Sequence, residues 1–215
     1  MKGLFLYGAN CTMDVWTRFK PFFDIPETRY VAYPHAVTKQ AETVSDITTW
    51  VYETYQTEQP LDFIVGHSMG GIIALQLVTQ YAFRCDRVIL IESNLKPANP
   101  FYRNLMTEKN MAIFGDQILA MIQSEAPFYS DALKQSLRED FDYADLVREF
   151  TGQVHGIYGD RGIADYKSRI ADLRLDADIE QRIRFHFVRD ACHMPMVENP
   201  EDLAAIIRQI TKLPE

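Results

Sequence analysis

Residues whose types and spacing could do chemistry concentrate in one stretch, Leu61-Asp-Phe-Ile-Val-Gly66-His67-Ser68-Met69-Gly70-Gly71. It contains the pattern G-x-S-x-G, with an apolar run before it and good helix formers after it. A serine hydroxyl is a weak nucleophile until a base within hydrogen-bond reach takes its proton. A tight strand-to-helix turn would lift the Ser68 hydroxyl above a sheet and place it at a helix N-terminus. The partial positive charge there favours a developing oxyanion, and the Met69 N–H is placed to donate to it. Glycines at 66 and 70 fit this turn because side chains there would collide with the neighbouring strand and helix. The chemistry expected is acyl transfer through Ser68.

Such a serine needs a base and an acid. The chain has five histidines. His67 lies inside the turn, with its side chain expected to point away from that of Ser68. His155 and His186 fall within predicted strands and read as core or edge residues. His35 follows the second strand and is a candidate substrate contact. His193 follows the last strand by a few residues, on a loop at the C-terminal edge of the sheet, where ligands bind in open α/β folds. His193 is the expected base. Asp160, after Gly159 at the end of the fifth strand, is the expected acid that orients it. Glu92, at the end of the fourth strand, is the alternative, and Asp190 reads as a loop cap.

The elements that must position these groups are legible as six short apolar runs: Gly3–Tyr7, Arg29–Tyr33, Asp62–Gly66, Arg87–Glu92, Gln153–Tyr158 and Arg182–Val188. The middle runs are continuous, as strands buried on both faces of a parallel sheet are, and the last alternates like an edge strand. Helical periodicity lies between them. Val44, Ile47, Val51 and Tyr55 follow Thr43 as a cap, Met69–Ala82 follows the serine, and Leu203 to Ile210 follow Asn199-Pro200. The fold class expected is α/β, a mostly parallel six-stranded sheet flanked by helices on both faces. Residues 1–215 read as a single domain, and 93–152, strandless with apolar residues at helical spacing, as a helical cap inserted over one end of the sheet.

The Gly-His-Ser-Met-Gly-Gly turn resembles the nucleophile elbow of the α/β-hydrolase superfamily. The resemblance extends to Tyr7-Gly8-Ala9 with Trp16, to Gly156-Ile-Tyr-Gly-Asp160, and to Ala191-Cys-His193-Met-Pro-Met-Val-Glu-Asn-Pro200. The order Ser, Asp, His is also that superfamily's order. The resemblance implies a triad of Ser68, His193 and Asp160, and Ala9 as the second backbone oxyanion donor beside Met69. Some relatives place the acid where this chain has Glu92. Three departures stand out: Tyr7-Gly8 replaces the usual His-Gly, the leading hairpin is absent, and Cys192 stands where glycine often precedes the histidine.

Composition bounds the rest. The chain has 215 residues, 47% hydrophobic and 24% charged, with a net charge of −8, which fits a globular domain and disfavours nucleic acid as a partner. Without a long apolar run or leader, no membrane association is expected. Cys11, Cys85 and Cys192 are widely spaced, which suits a reducing, cytoplasmic setting. A thiol nucleophile at Cys11 or Cys192 is disfavoured because neither sits on such a turn. No metal-ligand spacing and no dinucleotide-binding glycine pattern is visible, so neither metal nor cofactor is expected.

The function expected is a cofactor-free serine hydrolase of small, largely apolar carboxylic esters or thioesters, working through an acyl-enzyme as a monomer or homodimer. Tyr7, Asn10, His35, Phe101, Met106, Phe114 and Met194 are the candidate pocket residues. The alternatives are a carbon–carbon hydrolase or lyase on an anionic metabolite, with Arg103, Lys109 or Arg161 as the recognising cation, and a non-catalytic ligand-binding relative.

Overall fold

The computed structural model describes residues 1–97, 99–138 and 141–213. Six strands, β1 (Gly3–Leu6), β2 (Thr28–Tyr30), β3 (Phe63–His67), β4 (Arg87–Ile91), β5 (Gln153–Gly159) and β6 (Ile183–Val188), form one sheet in the order β2-β1-β3-β4-β5-β6. Every neighbouring pair is parallel. Continuous runs stay continuous because both faces are covered: all of β1 and β3 is buried. The edge strand β6 shows the expected alternation only in part.

The helices are α1 (His35–Gln40), α2 (Val44–Tyr55), α3 (Met69–Gln80), α4 (Glu108–Glu125), α5 (Asp131–Ser136), α6 (Asp145–Glu149), α7 (Ala177–Glu180), α8 (Pro195–Glu198) and α9 (Pro200–Thr211). Thr43 and Asp46 form a capping box at the start of α2, and the Asn199 side chain accepts from the Asp202 N–H at the start of α9, as Ser/Thr/Asn caps do. On the β1 side of the sheet, Phe5 packs against Trp16, Phe19, Phe23 and Phe63 in a buried aromatic cluster. This cluster fixes β1, and with it the loop that follows.

Between β4 and β5 the described residues form helical elements and no strand. This segment reaches loops at the C-terminal ends of several strands. The Tyr129 hydroxyl bonds the Cys11 carbonyl after β1, the Thr38 hydroxyl donates to the Phe128 carbonyl, and the His193 N–H donates to Leu105 O. The helices therefore lie over the edge of the sheet that carries Ser68.

Candidate active site

β3 ends at His67, and α3 begins at Met69, leaving Ser68 alone at the apex. Its backbone is left-handed, with φ 52° and ψ −122°, a conformation that costs a non-glycine residue energy and recurs where function needs it. The turn closes only because glycines flank it. A Cβ on Gly66 would lie 2.2 Å from the Gly70 carbonyl oxygen, and one on Gly70 would lie 2.7 Å from the Leu6 carbonyl oxygen of β1. A Cβ on Gly71 would meet Ser93 Oγ at 2.1 Å. The neighbours of Gly66 and Gly70 are backbone and cannot move aside, so both glycines are required by packing.

The Gly8-Ala9-Asn10 loop after β1 comes against this apex. A Cβ on Gly8 would lie 2.9 Å from Ser68 Cβ and 3.2 Å from His67 Nδ1. Asn10 adopts φ 57°, and its Oδ1 is buried without a partner. Tyr7, which replaces the usual histidine, accepts from the Tyr33 N–H through its phenol oxygen at 2.8 Å and is almost fully buried. Burial pushes its hydroxyl up to about 12, so it remains a neutral packing group.

His193 lies on the loop between β6 and α8. His67 supports its backbone. The two rings lie 4.9 Å apart, and His67 Nε2 meets the His193 carbonyl oxygen at 2.9 Å. Burial, followed by the charge of His193, holds the His67 imidazole down to about 3. It is therefore neutral, and its Nε2–H must be the donor to that carbonyl. A histidine inside the turn gives no sequence signal for this role, because its partner lies 126 positions away.

Glu198 anchors the same loop. Its Oε2 accepts from the N–H groups of Cys192 (2.7 Å) and Met194 (3.2 Å), while Oε1 accepts from Thr107 N–H (2.9 Å) and Asn110 Nδ2 (3.2 Å). One carboxylate thus ties the His193 loop to the start of α4. Glu198→Ala would strand buried donors, each costing about 1–3 kcal/mol. The expected result is a Tm drop of roughly 5 °C or more with ester turnover falling in parallel. An unchanged melt would show that the anchor carries no weight.

The structure separates the two candidate acids. Asp160 Oδ1 accepts from the Gly162 and Asp190 N–H groups, each at 2.8 Å, and so pins the loop after β5 to the one after β6. Glu92 Oε2 lies 3.7 Å from His193 Nδ1, with the Glu92 side chain fully buried. The carboxylate that faces the imidazole is therefore Glu92, whereas the hydrogen bonds of Asp160, the acid expected from sequence, go to the two loop amides. Asp160 reads convincingly in sequence because it follows a strand neighbouring the one before His193, and only the loop's path turns it aside. Glu92 also accepts the Gly159 N–H at 2.6 Å and both terminal nitrogens of Arg161. Burial pushes its carboxyl up, but Arg161, with a smaller contribution from His193, outweighs this and holds it below the usual carboxylate range. A carboxyl lowered in the folded state stabilises the fold above its unfolded range. That contribution is lost as acidification passes through the folded value.

The remaining expected contacts divide. Asn10 lines a cleft with Ile122, Ala126 and Lys134, while Met106 and Cys192 line another with Met111 and Arg161. His35 instead stacks on Phe128 at 3.7 Å and meets Glu125 at 2.9 Å, joining α1 to the helices above it. Phe101 stacks on Tyr166 in a satellite cluster with Tyr102. Phe114 lies under the Arg18 guanidinium, and Met194 is buried in the main core. Arg161 is committed to Glu92 and does not serve as a free recognising cation. Burial pushes the thiols of Cys11 and Cys192 up to about 12, so both stay protonated and poorly nucleophilic. His155 and His186 pair with one another across β5 and β6 at 3.0 Å.

A parallel sheet that presents a left-handed serine between its third strand and the following helix, with a histidine after its last strand, is the architecture of an α/β hydrolase. A model of the family described as "Serine aminopeptidase, S33" matches residues 33–196, well over half of the chain. The chain belongs to that family of α/β hydrolases. No curated protein matches it. Among solved structures it is similar to MenH from S. aureus, with TM-score 0.75 at 13% identity over 99% of this chain and 93% of that one. It is also similar to a thermophilic esterase from Thermogutta terrifontis (0.72, 18%, 99% and 89%) and to naproxen esterase from Bacillus subtilis (0.69, 14%, 97% and 82%). At such identities the likeness shows the fold. Among the described residues no helix is long and apolar enough to cross a membrane, and no group of three or more His, Cys, Asp or Glu is placed to hold a metal.

Proposed function

We propose that the protein is a serine hydrolase of small, largely apolar carboxylic esters or thioesters, with Ser68, His193 and Glu92 as its triad. The observation that carries this reading is the strained φ of 52° at Ser68, held at a helix start beside the Gly8 loop. Ser68 Oγ attacks the acyl carbon as His193 accepts its proton, and the N–H groups of Met69 and Ala9 receive the oxyanion. His193 then protonates the departing alcohol or thiol. Water, deprotonated by His193, attacks the acyl-enzyme and releases the acid. Glu92 orients the imidazole and stabilises its charged form. Residues 93–152 act as the cap, and its methionines supply adaptable apolar contact.

The commitment of Arg161 to Glu92 removes one of the three cations named for carbon–carbon cleavage and so favours the ester reading. A fluorophosphonate probe with intact-mass detection tests it, together with nitrophenyl esters of increasing chain length. One adduct per chain and turnover of short esters are expected. Folded protein that neither labels nor turns over any ester would sink the proposal and bring the lyase and ligand-binding readings forward.

A further inference from the structure

The proposed triad contains one charge more than three members require. Arg161 grips Glu92 through both ends of its fork, Nη1 to Oε1 and Nη2 to Oε2, each at 2.6 Å. The two side chains are 3% and 0% exposed. Arg161 is itself held on three sides: Nη1 donates to Gly159 O at 2.6 Å, Nε donates to Phe101 O at 3.1 Å, and the guanidinium lies 4.5 Å from the Tyr102 ring centre. Such planar, bidentate geometry is specific to arginine.

We propose that Arg161 is a positioning residue of the reaction, which fixes Glu92 toward His193 and sets the pH at which the Glu92–His193 pair takes up a proton. The inference rests on Glu92 being the triad acid. The charges decide its direction. A carboxylate and an imidazolium alone sum to zero, and the Arg161 charge on the Glu92 oxygens adds repulsion to a protonated His193, whatever the nearby carboxylates of Asp160 and Glu198 contribute. Protonation of the pair is therefore disfavoured, and His193 stays available as a base at lower pH than an unaccompanied carboxylate would allow.

Around His193, the Ser68 turn brings His67, which burial keeps neutral. The His193 loop brings Cys192, with its thiol held protonated, and Asp190. From α8 comes Glu198, whose carboxylate is bound to the loop's own N–H groups. β5 and the loop after it bring Tyr158 and Asp160, and the chain after β4 brings Tyr102, whose hydroxyl burial pushes up. The cleft beside Cys192 also carries Lys109 and Glu108 of α4, but Arg161 is the cation hydrogen-bonded to the Glu92 oxygens.

The test follows the His193 ring signal during pH titration of protein carrying 13C-labelled histidine, with assignment by His193→Gln. The parent is compared with Arg161→Met, Arg161→Gln and Arg161→Lys. Removing a positive charge raises the proton affinity of the pair whichever member holds the proton. The Met and Gln variants are expected to move the His193 midpoint upward by on the order of one pH unit. The acid limb of kcat/KM on a nitrophenyl ester should move with it. Arg161→Lys keeps the charge and should restore most of the shift, though with a lower kcat from the lost fork. If Arg161→Met is too unstable to study, Arg161→Gln carries the same expectation, because its amide can still hydrogen-bond Glu92. A folded Met or Gln variant with an unmoved midpoint overturns the proposal and leaves Arg161 a structural ion pair. The ring signal reads out without turnover, so failure of the hydrolase reading, seen as a parent inert to esters and probe, is distinguishable from failure of this one.

Discussion

Ser68→Ala is expected to lower ester turnover by roughly 10⁴-fold or more and to abolish the fluorophosphonate adduct, while the protein stays folded. The hydroxyl is the group whose oxygen must bond to the acyl carbon, and nothing near it can substitute. The thiols of Cys11 and Cys192 are held protonated by burial. The left-handed backbone at residue 68 strains alanine about as much as serine, and Gly66 and Gly70 still allow the turn to close, so thermal stability should barely change. Activity that survived at a tenth of the parent rate would mean that acyl transfer runs through another group, and labelling followed by peptide mapping would then locate it.

The second large effect distinguishes the two carboxylates. Glu92→Gln removes the charge that faces His193 while keeping the side chain's shape, and turnover is expected to fall on the order of 10⁴-fold, as when a triad acid is replaced by its amide. It also leaves the Arg161 guanidinium buried opposite a neutral partner, which costs about 3–5 kcal/mol. A lowered Tm should therefore accompany the kinetic loss. Asp160→Asn should behave differently. Its Oδ1 accepts from two backbone N–H groups, and an asparagine oxygen can do the same, so turnover is expected to stay within a few-fold of the parent. Kinetics of both variants, read beside their melting curves, would settle the roles. If Asp160→Asn were the dead enzyme and Glu92→Gln the active one, Glu92 would be a structural partner of Arg161 and the acid would lie at 160 after all.

Much of the architecture was legible because it is local. Short continuous apolar runs between turn signals suit strands buried on both faces, and the observed strands begin and end within one residue of those runs except at β2, which ends three residues before its run does. Ser68 was legible for the same reason. The glycines that permit its turn lie two residues before it and two and three after it, so one short stretch encodes both the proposed nucleophile and the space it needs. His193 is marked by its place after the last strand, since parallel topology brings every such loop to one edge.

What the sequence could not decide is which of several side chains on that edge meet. Asp160 and Glu92 each follow a strand, and the acid expected from sequence is Asp160. Glu92 and Arg161, both with left-handed backbones, meet through their side chains, while Asp160 accepts from the Asp190 amide, a partner 30 positions away. The supporting role of His67, the grip of Glu198 on both the His193 loop and α4, and the contacts of Phe101 with Tyr166 and of His35 with Phe128 and Glu125 are of the same kind. Each depends on contacts between segments remote in the chain, whose energies arise only once the sheet has brought the loops together. The sequence by itself determined a parallel α/β sheet with a serine poised at a strand-to-helix apex. Only the tertiary structure shows Glu92 facing His193 and gripped by Arg161, because burial and long-range hydrogen bonding, not local sequence, choose which carboxylate meets the imidazole.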